Sequence, residues 1–402
     1  MKSLSRREFS TKLAAGVAGA MLGCQADKRD AADGGWTPQS HPREATDPTI
    51  QHHNTLGRTG IRVSDVILGG GDLHEPGVIR YAFDRGVNVF DTAATYVGGV
   101  SEDVIGRGLL GVRDRAHIIT KQGFSRRRPP TQRSIANLLE ASLRRLQTDY
   151  VDGLFIHSME DMRALQNDAV LESFVRFKQE GKVLFTGFST HNERRTLVQC
   201  LQPRYDEVVD VVMFRYNHME GEHIEPMIQA LRTKGIGTIA MKTLAGGKHG
   251  HLREFLSNQL SYPQAAIGWA LANNHIDCAV LSMDTYALVD AYVSASGKQT
   301  QRTNGSVLRQ YRELVDNSYC RVTCTACEDS CPHQVAISDI MRCHMYYNDY
   351  RQRRKATAVY SFLPHSRKPL HCPDCSGPCA DACPYGISVR ERLIETHEVL
   401  AV

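Results

Sequence analysis

From about Leu56 to Ser296, short β-branched runs alternate with amphipathic stretches, and no other feature narrows the fold as much. The runs are Val66–Gly70, Asn88–Asp91, His117–Lys121, Val151–His157, Val183–Ser189, Val208–Phe214, Ile236–Lys242 and Ile276–Leu281. Helical stretches such as Gln132–Leu146, Ala164–Lys178 and Pro263–Ala272 lie between them. Apolar strands joined by helices predict a parallel sheet covered by helices, since a parallel crossover needs a helix and both sheet faces are then buried. Eight such strands favour closure into a (β/α)8 TIM barrel over an open sheet. A Gly-x-Gly-x-x-Gly turn opening an early helix would argue otherwise, but Gly69-Gly70-Gly71-Asp72 does not fit that pattern.

A closed barrel delivers its chemistry at the C-terminal ends of its strands. Strands two, three and four end at Asp91, Lys121 and His157, and Tyr96 follows Asp91 by five residues. Singly, each has a bland role: an N-cap, a surface charge, a satisfied core histidine. Together they suit one reaction. A phenol with a pKa of about 10 is a poor acid at neutral pH. A neighbouring ammonium lowers that pKa, and a carboxylate keeps the ammonium charged and oriented. A neutral imidazole can donate a hydrogen bond to an oxygen gaining negative charge.

Around these positions the sequence resembles the aldo-keto reductases. The resemblance covers about residues 55–300. It is carried by Leu56-Gly57-Arg58-Thr59-Gly60, Phe90-Asp91-Thr92-Ala93 with Tyr96, Ser101-Glu102 and Gly106, then Thr120-Lys121, Ile156-His157, Gly187-Phe188-Ser189 and Ala240–Gly247. It implies a catalytic tetrad of Asp91, Tyr96, Lys121 and His157, with Tyr96 as general acid. It also implies a nicotinamide cofactor across the barrel mouth, NADPH (the NADP type) or NADH, contacted by Ser189, Tyr216, Lys242, Thr243 and Leu244. Several cofactor positions depart from the family pattern. Met213 stands where a carboxamide-binding glutamine is common, and Thr190 follows Ser189 in place of asparagine. After strand eight, Leu281-Ser282-Met283-Asp284-Thr285 offers no cation for a 2′-phosphate, and Asp284 would repel one. Asp290-Ala291 replaces the later Glu-Asn pair.

The remaining length holds most of the sulfur. Of 12 cysteines, nine fall between Cys320 and Cys383. Two blocks stand out: Cys320-x3-Cys324-x2-Cys327-x3-Cys331-Pro332 and Cys372-x2-Cys375-x3-Cys379-x3-Cys383-Pro384. Each differs by one residue from the Cys-x2-Cys-x2-Cys-x3-Cys-Pro run of two-cluster ferredoxins. Zinc ribbons need paired Cys-x2-Cys knuckles, whereas each block has one such spacing and two of x3, and the spacing is not that of a disulfide framework. The expectation is two [4Fe-4S] clusters in a ferredoxin-like iron–sulfur module, one on Cys320, Cys324, Cys327 and Cys383, the other on Cys331, Cys372, Cys375 and Cys379. One cluster with idle cysteines is the alternative. Cys200, Cys278 and Cys343 read as buried thiols, and Arg351–Lys355 as a solvated basic face or a docking site for an acidic redox partner. Barrel followed by ferredoxin-type module also resembles an iron–sulfur branch of the aldo-keto reductases.

The chain opens Ser5-Arg6-Arg7-Glu8-Phe9 before a short apolar stretch ending near Cys24, which resembles a twin-arginine export signal. Met21-Leu22-Gly23-Cys24 is a loose lipoprotein box, and Ala18-Gly19-Ala20 offers a plain cleavage site. The domain expectation is therefore residues 1–24 signal, 25–50 linker, 51–300 reductase-type barrel and 301–402 iron–sulfur domain. A net charge of +4 is too small for a broad nucleic-acid face, and no apolar run is long enough for an ordinary membrane helix. Membrane attachment would come only through a lipid at Cys24, and the compartment would be the periplasm. The function expected is an exported oxidoreductase acting on a small carbonyl or alcohol, with electron transfer through the clusters. The alternative is an electron-transfer or binding protein whose barrel has lost catalysis. Basic, histidine-bearing loops at Ser125–Pro130 and Gly246–Arg253 suggest an anionic or hydroxylated substrate such as a sugar derivative.

Overall fold

The computed structural model describes residues 47–124, 129–246, 256–257, 260–298, 306–315, 317–321, 324–349 and 352–401. The signal, the lipobox, Arg351 and most of the two substrate loops lie outside them.

Eight parallel strands close into a barrel. They are β1 Val66–Gly69, β2 Val89–Asp91, β3 His117–Gln122, β4 Val151–Ile156, β5 Val183–Thr190, β6 Val211–Arg215, β7 Gly237–Met241 and β8 Cys278–Ser282. Each pairs with its sequence neighbours, and β8 pairs with both β7 and β1. Strand six starts at Val211 rather than Val208, because Val208 and Val209 sit in the turn after Pro203–Tyr205. A hairpin of His53–Thr55 and Arg62–Ser64 precedes the barrel, and Leu56, between its strands, joins the interior core.

Two cores follow from the period-two alternation of a strand. Ile67, Val89, Ile119, Phe155, Phe185, Val211 and Ile239 point inward and fill the barrel. Leu68, Phe90, Ile118, Leu154, Phe188 and Val212 point outward against the helices. Asp91 lies two residues past Val89, and Lys121 two past Ile119, so the same alternation turns both inward, one layer above the apolar fill. Gly187 is needed in this layer: a Cβ there would lie 1.9 Å from the Val211 carbonyl oxygen.

Helix caps agree with the local sequence. Thr131 and Ser134 form a reciprocal capping box before Gln132–Leu146, and Ser261 and Gln264 do the same before Tyr262–Leu271. Asn167 caps Asp168–Gln179, which delays that helix by four residues relative to the sequence expectation.

Ser306–Val315 sets Val307, Leu308 and Tyr311 into the barrel's outer core. The chain beyond it has a core of its own, in which Ile337, Ile340, Met341, Tyr360, Val389 and Leu393 pack with Cys327, Cys372 and Cys379. Its described elements are helices and short 3-10 turns. The helices include Ile337–Asn348, Arg353–Ser361 and Val389–Leu400. No helix among the described residues is long and apolar enough to cross a membrane.

Candidate active site

The ends of β2 and β3 build the centre of the site. Lys121 Nζ lies 2.5 Å from Asp91 Oδ1 and donates to the Thr92 carbonyl at 2.8 Å. It reaches Tyr96 Oη at 3.5 Å. The Tyr96 and His157 rings meet edge-on, centroids 5.3 Å apart, and His157 Nδ1 is 3.3 Å from Thr95 Oγ1. The structure thus brings all four tetrad residues together. A second buried shell holds them. Glu102 accepts from Thr120 Oγ1 at 2.5 Å and from Arg145 Nε at 2.7 Å, which fixes the strand just before Lys121. Ser101 Oγ donates to the Gly70 carbonyl at 2.7 Å and lies 2.8 Å from Thr92 Oγ1.

Burial sets the protonation states. It raises the Asp91 carboxyl against the pull of Lys121. It would lower the Lys121 ammonium, but Asp91 and Tyr96 outweigh it and the net direction is up, so the lysine stays charged. Burial also raises the Tyr96 phenol more than Lys121 lowers it. The expectation of a lowered phenol pKa is therefore corrected: in this enclosed site desolvation wins over the ammonium. Tyr96 is then a protonated phenol at neutral pH. Burial, with Lys121 adding to it, lowers His157 to about 3, so its imidazole is neutral.

Asp91 and Tyr96 open on a cavity of about 300 Å³. Asp91, Tyr96, Met213, Met241, Lys242, Thr243 and Leu244 line its barrel side. Lys242 has a left-handed backbone, φ 58°. Its side chain is ringed by protein yet faces the open cavity. Burial lowers its pKa to about 8, with the like charges of Lys355 and Arg342 adding to the effect. The Thr243 hydroxyl is buried, lines the cavity and has no hydrogen-bond partner.

Two expected cofactor contacts are not brought to this cavity. Tyr216 is fully buried in the outer core. Its hydroxyl donates to Glu225 Oε1 at 2.8 Å and accepts from Asn273 Nδ2 at 3.0 Å, and its ring lies 4.9 Å from Trp269. The reason is alternation along β6: Met213 points inward, so Phe214 and Tyr216 point out. Ser189 lies in register with Met213, but its hydroxyl accepts the Ser158 N–H at 3.0 Å.

Other lining residues went unforeseen. His191, in the loop after β5, is held neutral with its pKa lowered to about 3 by burial. Tyr319, Arg342, Met345, Tyr346, Gln352 and Lys355 reach the same cavity from the C-terminal module. Lys355 is thus not part of a solvated basic face. Only the basic run hinted at these residues, and a charge run says nothing of which way it turns.

The eight block cysteines sort into two sets of four by which thiols sense one another. Cys320 feels Cys324 and Cys383, and Cys327 feels Cys320, Cys383 and Cys324. Cys372 feels Cys379, Cys331 and Cys375, and Cys379 feels Cys331 and Cys375. Each block thus lends its fourth cysteine to the other set. No described cysteine forms a disulfide, and no three His, Cys, Asp or Glu side chains among the described residues are placed to hold a single metal ion. Cys200, Cys278 and Cys343 are buried.

Residues 76–255 match the model of the aldo/keto reductase family. The chain carries an aldo/keto reductase domain. The chain is 27% identical over 282 residues to L-galactose dehydrogenase of Arabidopsis thaliana, a match spanning 60% of this chain and 86% of the relative. It is 26% identical over 242 residues to an aldo-keto reductase of Alternaria alternata, spanning 49% of this chain and 65% of the relative. In structure it resembles a holo-form aldo-keto reductase from Bacillus halodurans, with a TM-score of 0.54 and 23% identity, over 64% of this chain and 95% of that one. The aldo/keto reductase domain marks the protein as an enzyme of the oxidoreductase class.

Proposed function

We propose that the protein is an exported aldo-keto reductase-type enzyme that interconverts a small carbonyl and its alcohol, coupled to electron transfer through two [4Fe-4S] clusters in its C-terminal module. The observation that carries the reductase reading is the assembled tetrad, with a protonated Tyr96 at the cavity wall held between a charged Lys121 and a neutral His157.

A nicotinamide dinucleotide fits the cavity's donors. The unpartnered Thr243 hydroxyl and the ammonium of Lys242 are groups an anionic diphosphate would satisfy. When bound, the dinucleotide supplies the hydride for the carbonyl carbon. Tyr96 then gives its phenolic proton to the carbonyl oxygen, becoming a phenolate beside the Lys121 ammonium. His157 donates a hydrogen bond to the same oxygen as its charge develops. Asp91 holds Lys121 in place and charged. In the opposite direction the phenolate takes the alcohol proton.

The iron–sulfur reading is supported by the two thiol sets and by tetrahedral iron's preference for soft thiolates. Four cysteines in each set supply one thiolate per cluster corner. Export by the twin-arginine route to the periplasm, with or without a lipid at Cys24, agrees with a cofactor assembled before translocation. A redox partner protein would exchange electrons with the clusters.

The test uses the full holoprotein, titrated by calorimetry with NADPH and NADH and assayed on a panel of small carbonyls. Tyr96→Phe should lower kcat by about 10²- to 10⁴-fold, the usual worth of a general acid, with nucleotide affinity unchanged. If the wild type binds neither nucleotide, the reductase reading fails and a barrel without catalysis replaces it. Iron analysis of anaerobically purified protein should find about eight irons per chain, from two four-iron clusters; protein without iron would sink the cluster reading.

A further inference from the structure

The roof of the cavity comes from the C-terminal module, and its charge is unlike that of the floor. On the floor, Lys121 and Asp91 cancel one another. In the roof, Arg342 and Lys355 face the cavity from two successive helices, Ile337–Asn348 and Arg353–Ser361. Both are close enough to Lys242 for their charges to act on it. Besides Asp91 of the floor pair, the acidic groups facing this space are Asp72 and Asp284. Both act on Lys355, whose ammonium also lies 4.7 Å over the Tyr346 ring. Arg342 pairs with Asp339 of its own helix, at 3.9 Å. The charges that act most on Lys242 are the two roof cations. Like charges converging on one enclosed space repel, so an anion is what the arrangement lacks.

We propose that the module completes the phosphate-binding wall of the dinucleotide site, with Arg342 joining Lys242 at the diphosphate and Lys355 offsetting the carboxylates of Asp72 and Asp284 at the strand-eight end. This inference rests on the nucleotide reading above and goes beyond it, because it assigns specificity to residues outside the reductase domain. It also accounts for the missing cation after β8. The local sequence there supplies only Asp284, and a lysine some seventy residues later in the chain is brought against it.

The experiment measures Kd for NADPH and NADH by calorimetry on the full holoprotein, with inorganic pyrophosphate as a competing probe. Arg342→Gln should weaken both nucleotides and pyrophosphate by roughly 10- to 100-fold, the usual worth of a charge-assisted hydrogen bond. Arg342→Lys should recover part of the loss. Lys355→Gln, by unmasking Asp72 and Asp284, should weaken NADPH more than NADH, and Asp284→Asn should do the reverse. Unchanged cluster absorbance and circular dichroism show that the variants are folded. Unaltered nucleotide affinity in folded Arg342→Gln overturns the proposal. So does a loss confined to pyrophosphate, which would assign the cations to an anionic substrate. A wild type that binds neither nucleotide is a different result: it removes the nucleotide reading itself, and this inference with it.

Discussion

The floor and the roof of the cavity are built on opposite electrostatic plans. The floor is a closed account of charge, with Asp91 and Lys121 buried, paired and tied to Thr92. Its members come from the adjacent strands β2 and β3. The roof holds more positive than negative charge and comes from helices of a separate core. A buried pair in low dielectric holds a fixed geometry, as proton transfer requires. A surplus of cations on a partly open face suits a ligand that arrives and leaves. The difference separates the part of the site that performs chemistry from the part that selects what is bound.

The strongest way to break this comparison is to unpair the floor. Lys121→Met leaves a carboxylate buried without its partner and should cost about 3–5 kcal/mol of stability, measured by urea unfolding at pH 7. The double variant Asp91→Asn with Lys121→Met should recover much of that loss. If Lys121→Met is neutral, the pair is not the closed unit described. The junction of floor and roof comes next. Gly246 has φ 73°, and a Cβ there would lie 2.4 Å from the Tyr319 ring. Gly246→Ala should cost about 1–3 kcal/mol by overpacking, read from the same unfolding curves, and should weaken nucleotide binding as the roof shifts.

The smallest effect is in pH. His157, His191 and His218 are held at about 3 by burial, below the unfolded value of about 6.5. Between those values the unfolded chain binds the extra protons. Stability is therefore full above about pH 6.5 and falls as the pH drops toward 3. Glu193, pushed up to about 7 by burial despite Arg215, works in the opposite direction over the upper part of that range. His157→Gln should make the acid fall in Tm shallower while leaving the neutral plateau nearly in place. An unchanged slope would show that this imidazole is not held neutral by the fold.

Legibility in the sequence followed range. The eight strands could be read because each run carries its own β-branched pattern; the largest misfit is at strand six, which starts three residues late, and the other bounds differ by at most two. The tetrad could be read because Asp91, Lys121 and His157 occupy equivalent strand ends, which closure then brings together. Tyr216 was misplaced because its neighbourhood resembles a binding motif, whereas strand parity turns its ring away from the cavity. His191 left no local trace, and the module residues left only a basic run whose orientation the sequence does not give.

What the chain's order of residues determined alone was therefore periodic: alternation along each strand, the number of strands, the caps, and two cysteine blocks whose spacing is short. Those properties arise from contacts among near neighbours. Which helix face roofs the barrel and which lysine meets Asp284 were decided only by tertiary packing. They depend on surfaces separated by many residues, whose closeness is created by burial of two cores and not by any local preference.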